Sequence, residues 1–351
     1  MDYPFQITVG VPVFNVEAYV EKAILSTLEQ DFTLPYEVLV VDDCGTDNSM
    51  DIVNRIAASH KHGDRIRIVS HEYNRGIGQA RNTIFDNAKG RYLFFLDPDD
   101  WMEKNSLSSL YYKAVELGSE ITIGSSMYTN DDGIMADYKA LPDLFIKHPS
   151  SAGISMLVDH GIAMRGEMWG KLMSMEFIHK HSIRCINRII EDGVPDFVSL
   201  VESKSICLVS DNVYNYYSKR KGSILEVTQT QNLIERSSAW ANVINTIQAL
   251  VVNRYSTVPG IYDFYLSKTR SCYRHLLLDH LDDEQTQLIN SRLKGCMSIV
   301  PSVWKIKKGR NRLMYLFLRH NDSLDAFSRY DRYLSGIVHL PSRLKRILRK
   351  S

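Results

Sequence analysis

At 351 residues the chain is long enough for one large domain or two ordinary ones, and its composition, 44% hydrophobic and 24% charged, is that of a globular protein. A net charge of +1 provides no overall field of the kind that marks a nucleic-acid binder. The five cysteines (Cys44, Cys185, Cys207, Cys272 and Cys296) are scattered and make no CxxC pair, which argues against a disulfide framework and a zinc knuckle. That cysteine usage fits a reducing compartment. Met1-Asp2-Tyr3-Pro4 lacks the basic and apolar regions of a signal peptide, and no run reaches the ~18 apolar residues of a membrane-spanning helix. The expected location is cytoplasmic.

In chain order, Ile7–Val13 reads as a first strand ending near Pro12, and Asn15 as a helix N-cap. Val16, Tyr19, Val20, Ala23, Ile24, Thr27 and Leu28 recur at helical spacing. Glu37–Val41 is a second buried strand, ending on Asp42-Asp43, and a helix carrying Met50, Val53, Ile56 and Ala57 follows. Arg65–Val69 alternates like a half-exposed strand. The loop Asn74–Gly78 opens a helix from about Gln79 to Lys89, with Gly90 as its C′ residue. Tyr92–Leu96 is an apolar strand that stops on Asp97-Pro98-Asp99-Asp100, because Pro98 cannot donate to a sheet ladder. A helix over 106–117 and a short strand at Ile121–Ile123 complete an alternation that predicts a parallel α/β sheet. Beyond Asp131 the pattern loosens, and from about Gln229 it becomes largely helical.

In open parallel sheets ligands bind beyond the carboxyl ends of the strands. Four features converge there: Pro12–Asn15, Asp42-Asp43, the helix start Asn74…Arg81-Asn82, and Asp97–Asp100. Two Asp separated by one residue can aim at one divalent cation, and Mg²⁺ or Mn²⁺ prefers such oxygen ligands. Taken singly, each feature has a plain alternative, an acidic turn, a surface arginine or a turn glycine.

Together, in this order, they resemble the family 2 glycosyltransferases, which share the GT-A nucleotide-sugar-binding fold. Pro12-Val13-Phe14-Asn15 is similar to PVYN, with Phe14 for Tyr. Val40–Ser49 is similar to VDDGSTDNS, with Cys44-Gly45 for Gly-Ser. Asn74–Asn82 resembles NGGVSAARN, and Leu96–Trp101 resembles LDSDDY. Further on, Trp169–Leu172 resembles WNKL with Gly170 for Asn. Glu191-Asp192 before Phe197 resembles EDxxF at a longer spacing. Tyr216-Tyr217 with Gly222-Ser223-Ile224 resembles YYRxxxGSI; Ser218 stands where Arg is usual, beside Lys219, Arg220 and Lys221.

The resemblance implies a GT-A domain over 1–225, with a nucleotide-binding half (1–124) and an acceptor half (125–225), followed by a helical C-terminal region over 226–351. It implies an inverting transfer from a UDP-sugar to a glycan or lipid-linked acceptor, assisted by Mn²⁺ or Mg²⁺. Asp42 would meet the uracil edge, walled by Pro12 and Phe14. Asn15, Asn74, Arg81, Asp97 and Ser223 would line the nucleotide sugar, although Arg81 could instead form a salt bridge to Asp42 or Asp97. Asp99 would hold the metal. Asp192 would be the general base, with Glu191 as the alternative within the pair. Trp169, Lys171 and Arg220 would face the acceptor or the diphosphate.

Rival readings are weaker. A DxDx[TV] nucleophile loop fails because Asp100 occupies the Thr/Val position. A nucleotidyltransferase would need a Gly-rich, Arg-containing loop after the first strand, which Pro12–Asn15 does not supply. A degenerate nucleotide-sugar-binding module is the non-enzymatic alternative, opposed by the intact Asp42, Arg81, Asp97, Asp99 and Asp192. Trp304–Arg319 and the tail from Arg343 to Lys350 are rich in Lys and Arg. Leu340, Leu344, Ile347 and Leu348 fall at helical spacing in that tail. Such a pattern fits a basic amphipathic helix on an anionic membrane, or else a solvated charged helix.

Overall fold

The computed structural model describes residues 3–130, 133–147, 151–162, 167–186, 189–217, 233–278, 281–293, 295–302, 306, 308–319 and 323–338. They fall into two compact units, Met1–Pro149 with Gly166–Glu226, and Ser150–Arg165 with Val227–Ser351.

The first unit is built on one mixed sheet. Strands β1 (Phe5–Val13), β2 (Tyr36–Asp42), β3 (Ile66–Ser70) and β4 (Gly90–Phe95) run parallel in the order β3-β2-β1-β4. Next to β4 lies β9 (Lys171–Ser174), antiparallel both to β4 and to β6 (Ile121–Asn130). Then β10 (Ser205–Tyr217) pairs parallel with β6, and β5 (Trp101–Met102) pairs antiparallel with β10. β7 (Gly133–Lys139) and β8 (Leu144–Lys147) add edge pairings to β6 and β10. The sheet is therefore parallel through β4, as the alternation predicts, and mixed beyond it. The fold is an α/β one of the GT-A kind, followed by a helical C-terminal part.

Both faces of the parallel strands are covered, which is why they read as continuous apolar runs. Helices α1 (Val20–Leu28), α2 (Ser49–Ser59) and α4 (Ser106–Leu117) bury Val20, Ile24, Val53, Leu107 and Leu110 with Val9, Val11, Val38, Val40 and Phe94. On the other face α3 (Ile77–Asn87) sets Phe85 edge-on to Phe95, ring centroids 5.2 Å apart. Each such fully buried side chain contributes about 1.5–3 kcal/mol, so the strand ends are held by a rigid scaffold.

Two local expectations are corrected. Asn15 does not cap α1, which begins at Val20; its φ is +50° and its side chain reaches another loop. Gly90 does not end α3, which closes at Ala88; it is the first residue of β4. A Cβ at Gly90 would lie 2.3 Å from the Thr8 nitrogen, so only glycine lets β4 come this close to β1.

The second unit is helical: α8 (Leu233–Leu250), a π-helical turn (Val251–Tyr255), α9 (Ile261–Leu278), α10 (Asp283–Leu293), α11 (Gly309–Leu318) and α12 (Leu324–Val338). The sequence reading keeps residues 150–165 in the first part of the chain. Of these, Ser151–Asp159 form α5, which packs on α9, and the stretch Ser150–Arg165 groups with the second unit. In the first unit α6 (Met175–His181) and α7 (Gly193–Glu202) follow β9.

Candidate functional site

The site lies at the carboxyl edge of the parallel strands. Val13 pairs with Asp42, so the ends of β1 and β2 are level. Pro12 is buried, while the ring of Phe14 is 41% exposed beyond the strand. Asn15 Oδ1 accepts from the Thr46 N–H at 2.7 Å and so ties the β1 loop to the β2 loop. Asp42 is half-buried, and its Oδ1 accepts from the Cys44 N–H at 3.0 Å.

The neighbouring Asp43 does a different job. It is buried, and its carboxylate is the anchor of the loop that opens α3. Oδ1 accepts from the Arg75 N–H at 2.8 Å, and Oδ2 accepts from the Gly76 N–H at 2.8 Å and Asn74 Nδ2 at 3.0 Å. His71 Nδ1 lies 2.6 Å from Oδ1, and His71 Nε2 lies 2.8 Å from Thr83 Oγ1 on α3. A neutral imidazole with its proton on Nδ1 satisfies both, donating to Asp43 and accepting from the Thr83 hydroxyl. Gly76, at φ +86°, supplies the turn into the helix. Asn74 is therefore a member of this loop anchor.

Beyond β4, Asp97 and Asp99 are half-buried and Asp100 is buried. Tyr214 on β10 organises this turn. Its hydroxyl donates to Asp100 Oδ2 at 2.6 Å and accepts from the Asp97 N–H at 3.1 Å. Asp100 Oδ1 accepts from the Tyr217 N–H at 2.7 Å. Burial, with Asp99 and Asp97 close by, pushes the Asp100 carboxyl well above the usual carboxylate range, against the hydrogen bonds from Tyr214 and Tyr217. Trp169 stacks on Tyr214 at 4.3 Å and on Tyr216 at 5.7 Å. Only 7% of it is exposed, so this indole braces the turn rather than standing open to an acceptor.

Arg81 joins the turn to the segment before α7. It is buried; Nη2 donates to Asp97 Oδ1 at 2.7 Å, and Nε lies 3.2 Å from Glu191 Oε1. Burial works against its charge, but Asp97, Glu191 and Asp192 outweigh burial and hold the guanidinium firmly protonated. Nη1 is buried without a hydrogen-bond partner. Asn82, next on α3, exchanges two 2.9 Å hydrogen bonds with the Cys185 backbone, and Arg184 pairs with Asp86 at 2.6 Å. One helix thus holds the DxDD turn, Arg184 and Cys185, and Glu191 in the segment before α7.

That segment ends under strain. Ile190 has φ +52°, a left-handed conformation that a β-branched residue rarely adopts. It delivers Glu191 into the buried ion pair and leaves Asp192, the N-cap of α7, half-buried. Lys171, assigned by resemblance to the acceptor or diphosphate, is buried and ion-paired with Asp196 on α7, so it pins α7 to β9. Arg220 and Ser223 lie outside the described residues, as does the basic tail.

Among the described residues no group of three or more His, Cys, Asp or Glu side chains is arranged to hold a metal ion by itself. Asp99, half-buried in the turn, offers the kind of carboxylate that Mg²⁺ or Mn²⁺ takes together with substrate phosphate and water, while Asp97 Oδ1 is already paired with Arg81.

Sequence reasoning placed Asp43 at the sheet edge without its anchoring role, and missed His71 and Tyr214. His71 sits at the end of β3, on the same sheet edge as the two acidic pairs, and that position was its one signal. Tyr214 had none, because its partners are 114 to 117 residues away.

Fold and site together define an α/β domain that presents carboxylates and a buried arginine at the edge where such sheets hold nucleotide-linked substrates. Residues 8–150 match the model of glycosyl transferase family 2. The chain is 30% identical to glycosyltransferase GlyA of Streptococcus pneumoniae over 63% of its own length and 32% of that protein. It is 24% identical to a poly(ribitol-phosphate) beta-glucosyltransferase of Bacillus spizizenii over 93% of its length and 50% of that protein. It thus spans a third to a half of the length of these two relatives. A crystal structure of Staphylococcus aureus TarS residues 1–349 in complex with UDP-GlcNAc superposes with a TM-score of 0.73 at 19% identity, covering 94% of this chain and 92% of that one.

Proposed function

We propose that the chain is an inverting glycosyltransferase of cell-surface polysaccharide synthesis, moving a sugar from a UDP-sugar to a glycan or lipid-linked acceptor. One observation carries the mechanism. Each of the three acidic pairs at the sheet edge has one buried member that holds structure and one partly exposed member. Asp43, Asp100 and Glu191 are buried; Asp42, Asp99 and Asp192 are half-buried.

The partly exposed members take the chemistry. Asp42 accepts from the uracil edge, with Phe14 and Pro12 against the base. Asp97 meets the donor's ribose or sugar, and the unpartnered Arg81 Nη1 is available to an oxygen of the donor. Asp99 would hold the divalent cation, whose bound charge offsets that of the departing diphosphate. Asp192 takes the proton of the acceptor hydroxyl. The acceptor oxygen bonds to the anomeric carbon as the bond from that carbon to the diphosphate oxygen breaks, and UDP leaves with the electron pair. A single displacement inverts the configuration. Glu191 does not compete for the base role, because its carboxylate is committed to Arg81.

The activities of the relatives support the acceptor class, and the UDP-GlcNAc-bound TarS structure supports a UDP-linked donor. The test pairs UDP-GlcNAc hydrolysis with UDP binding, each with Mn²⁺ and with EDTA. Asp192→Asn should lower turnover by about 10²–10⁴-fold and keep UDP affinity. Full turnover in EDTA removes the metal from the proposal. Full turnover in Asp192→Asn, with loss in Glu191→Gln, reverses the assignment within the pair.

A further inference from the structure

Charge is segregated along this chain. Residues 301–351 hold thirteen Lys and Arg against three Asp, a net +10, so the first 300 residues carry −9 of the overall +1. Part of that positive charge lies on two packed helices of the second unit. On α11, Asn311, Met314 and Leu318 face inward, while Arg310, Leu316 and, just past the helix end, Arg319 face out. On α12, Leu324, Ala326, Phe327 and Tyr330 are buried, while Arg329, Arg332 and Tyr333 are exposed. The acidic residues do little to cancel this. Asp331 is bound by Arg274 at 3.0 Å, and Asp325 sits in the first turn of α12, where an acid favours the helix dipole.

We infer that the exposed faces of α11 and α12 form an interfacial surface that seats the protein on an anionic lipid bilayer. Two features of that surface answer to two features of such a bilayer. The arginines meet the negative headgroup layer. Leu316 and Tyr333, 45% and 49% exposed among them, enter the boundary below it. A soluble polyanion would use the arginines alone and leave both apolar side chains in water. No helix among the described residues is long and apolar enough to cross a membrane, so the association is peripheral. It would hold the transferase where lipid-linked acceptors are, but it does not depend on the transfer reaction.

The experiment is co-sedimentation of the full chain with phosphatidylglycerol/phosphatidylcholine vesicles and with pure phosphatidylcholine vesicles, at low and high salt. Binding should require the anionic lipid and fall as salt rises. Arg329→Gln with Arg332→Gln should lower the partition coefficient by about 10- to 30-fold. Leu316→Ser with Tyr333→Ser should lower it several-fold at unchanged charge. All four side chains are exposed, and unchanged circular dichroism and thermal midpoints confirm intact variants. No binding to anionic vesicles at low salt overturns the inference. So does binding that ignores the Leu316/Tyr333 change and is fully displaced by heparin, which identifies a polyanion surface instead. UDP binding is unaffected in either case, so failure here is distinct from failure of the transferase reading.

Discussion

At the scale of single residues, the two members of each acidic pair differ in burial: Asp43, Asp100 and Glu191 are buried, while Asp42, Asp99 and Asp192 are half-buried. One turns into the protein and must be compensated; the other stays partly exposed. Asp100 shows what the inward position costs. Its carboxyl is raised by burial and by Asp99 and Asp97. A group whose folded pKa lies above its unfolded value contributes stability below the unfolded pKa and loses it as pH rises toward the folded one. Asp100→Asn removes that titration while keeping the shape and an acceptor for the Tyr217 N–H. The difference in unfolding free energy between Asp100→Asn and the native chain should therefore shift in favour of the variant as pH rises from about 4 to about 7. Denaturant titrations at several pH values read this directly. A difference that is flat with pH, or that moves the other way, contradicts a raised Asp100.

At the scale of elements, α3 is the part on which the site depends. Its first turn is anchored through Asp43, its second carries Arg81 and Asn82, and Thr83 supports His71. His71→Phe should leave Asp43 with one donor fewer in a buried place, at a cost of about 1–3 kcal/mol in unfolding free energy. The Asn74–Gly76 loop would loosen, so the donor KM should rise about tenfold, roughly 1.4 kcal/mol, with kcat nearly unchanged. His71→Gln, which keeps a donor toward Asp43, should recover part of both losses. A fall in kcat alone, with unchanged KM and stability, would refute the anchoring role. The sequence made much of this region legible. β1, β2 and β4 are buried on both faces, so their apolar runs stand out. The acids that stop them are visible as charges. Which acid of each pair turns inward was not visible, because that depends on donors such as Tyr214 and Asn74 that arrive from elsewhere in the chain. β9 was missed for a related reason. Its four residues carry no period of their own and become a strand only by filling the space between β4 and β6. Asn15 and Gly90 were misread because each has a common local use, as cap and helix terminator, that a long-range contact overrides.

At the scale of the whole molecule, the division of the chain is not a single cut in sequence. Residues 150–165 leave the first unit, contribute α5 to the second, and return at Gly166. The alternation of strand and helix loosens there, so a boundary near 225 looks sufficient from sequence, and α5 looks like a piece of the acceptor half. Its burial says otherwise. Ile154, Leu157 and Ile162 are at most 1% exposed, within the unit where α5 packs on α9. A chain truncated after Glu226 would keep α5 but lose α9, leaving three large aliphatic side chains in water. Each forfeits about 1.5–3 kcal/mol of burial, and together they make the kind of exposed apolar patch that promotes aggregation. Residues 1–226 expressed alone should therefore be poorly soluble or bind a hydrophobic dye strongly. Replacing Ile154 and Leu157 by Ser in the truncated chain should restore solubility, and the same replacements in the full chain should destabilise it. Dye fluorescence and size-exclusion profiles of the four proteins distinguish these outcomes. A soluble, dye-silent 1–226 would mean that α5 belongs with the first unit after all.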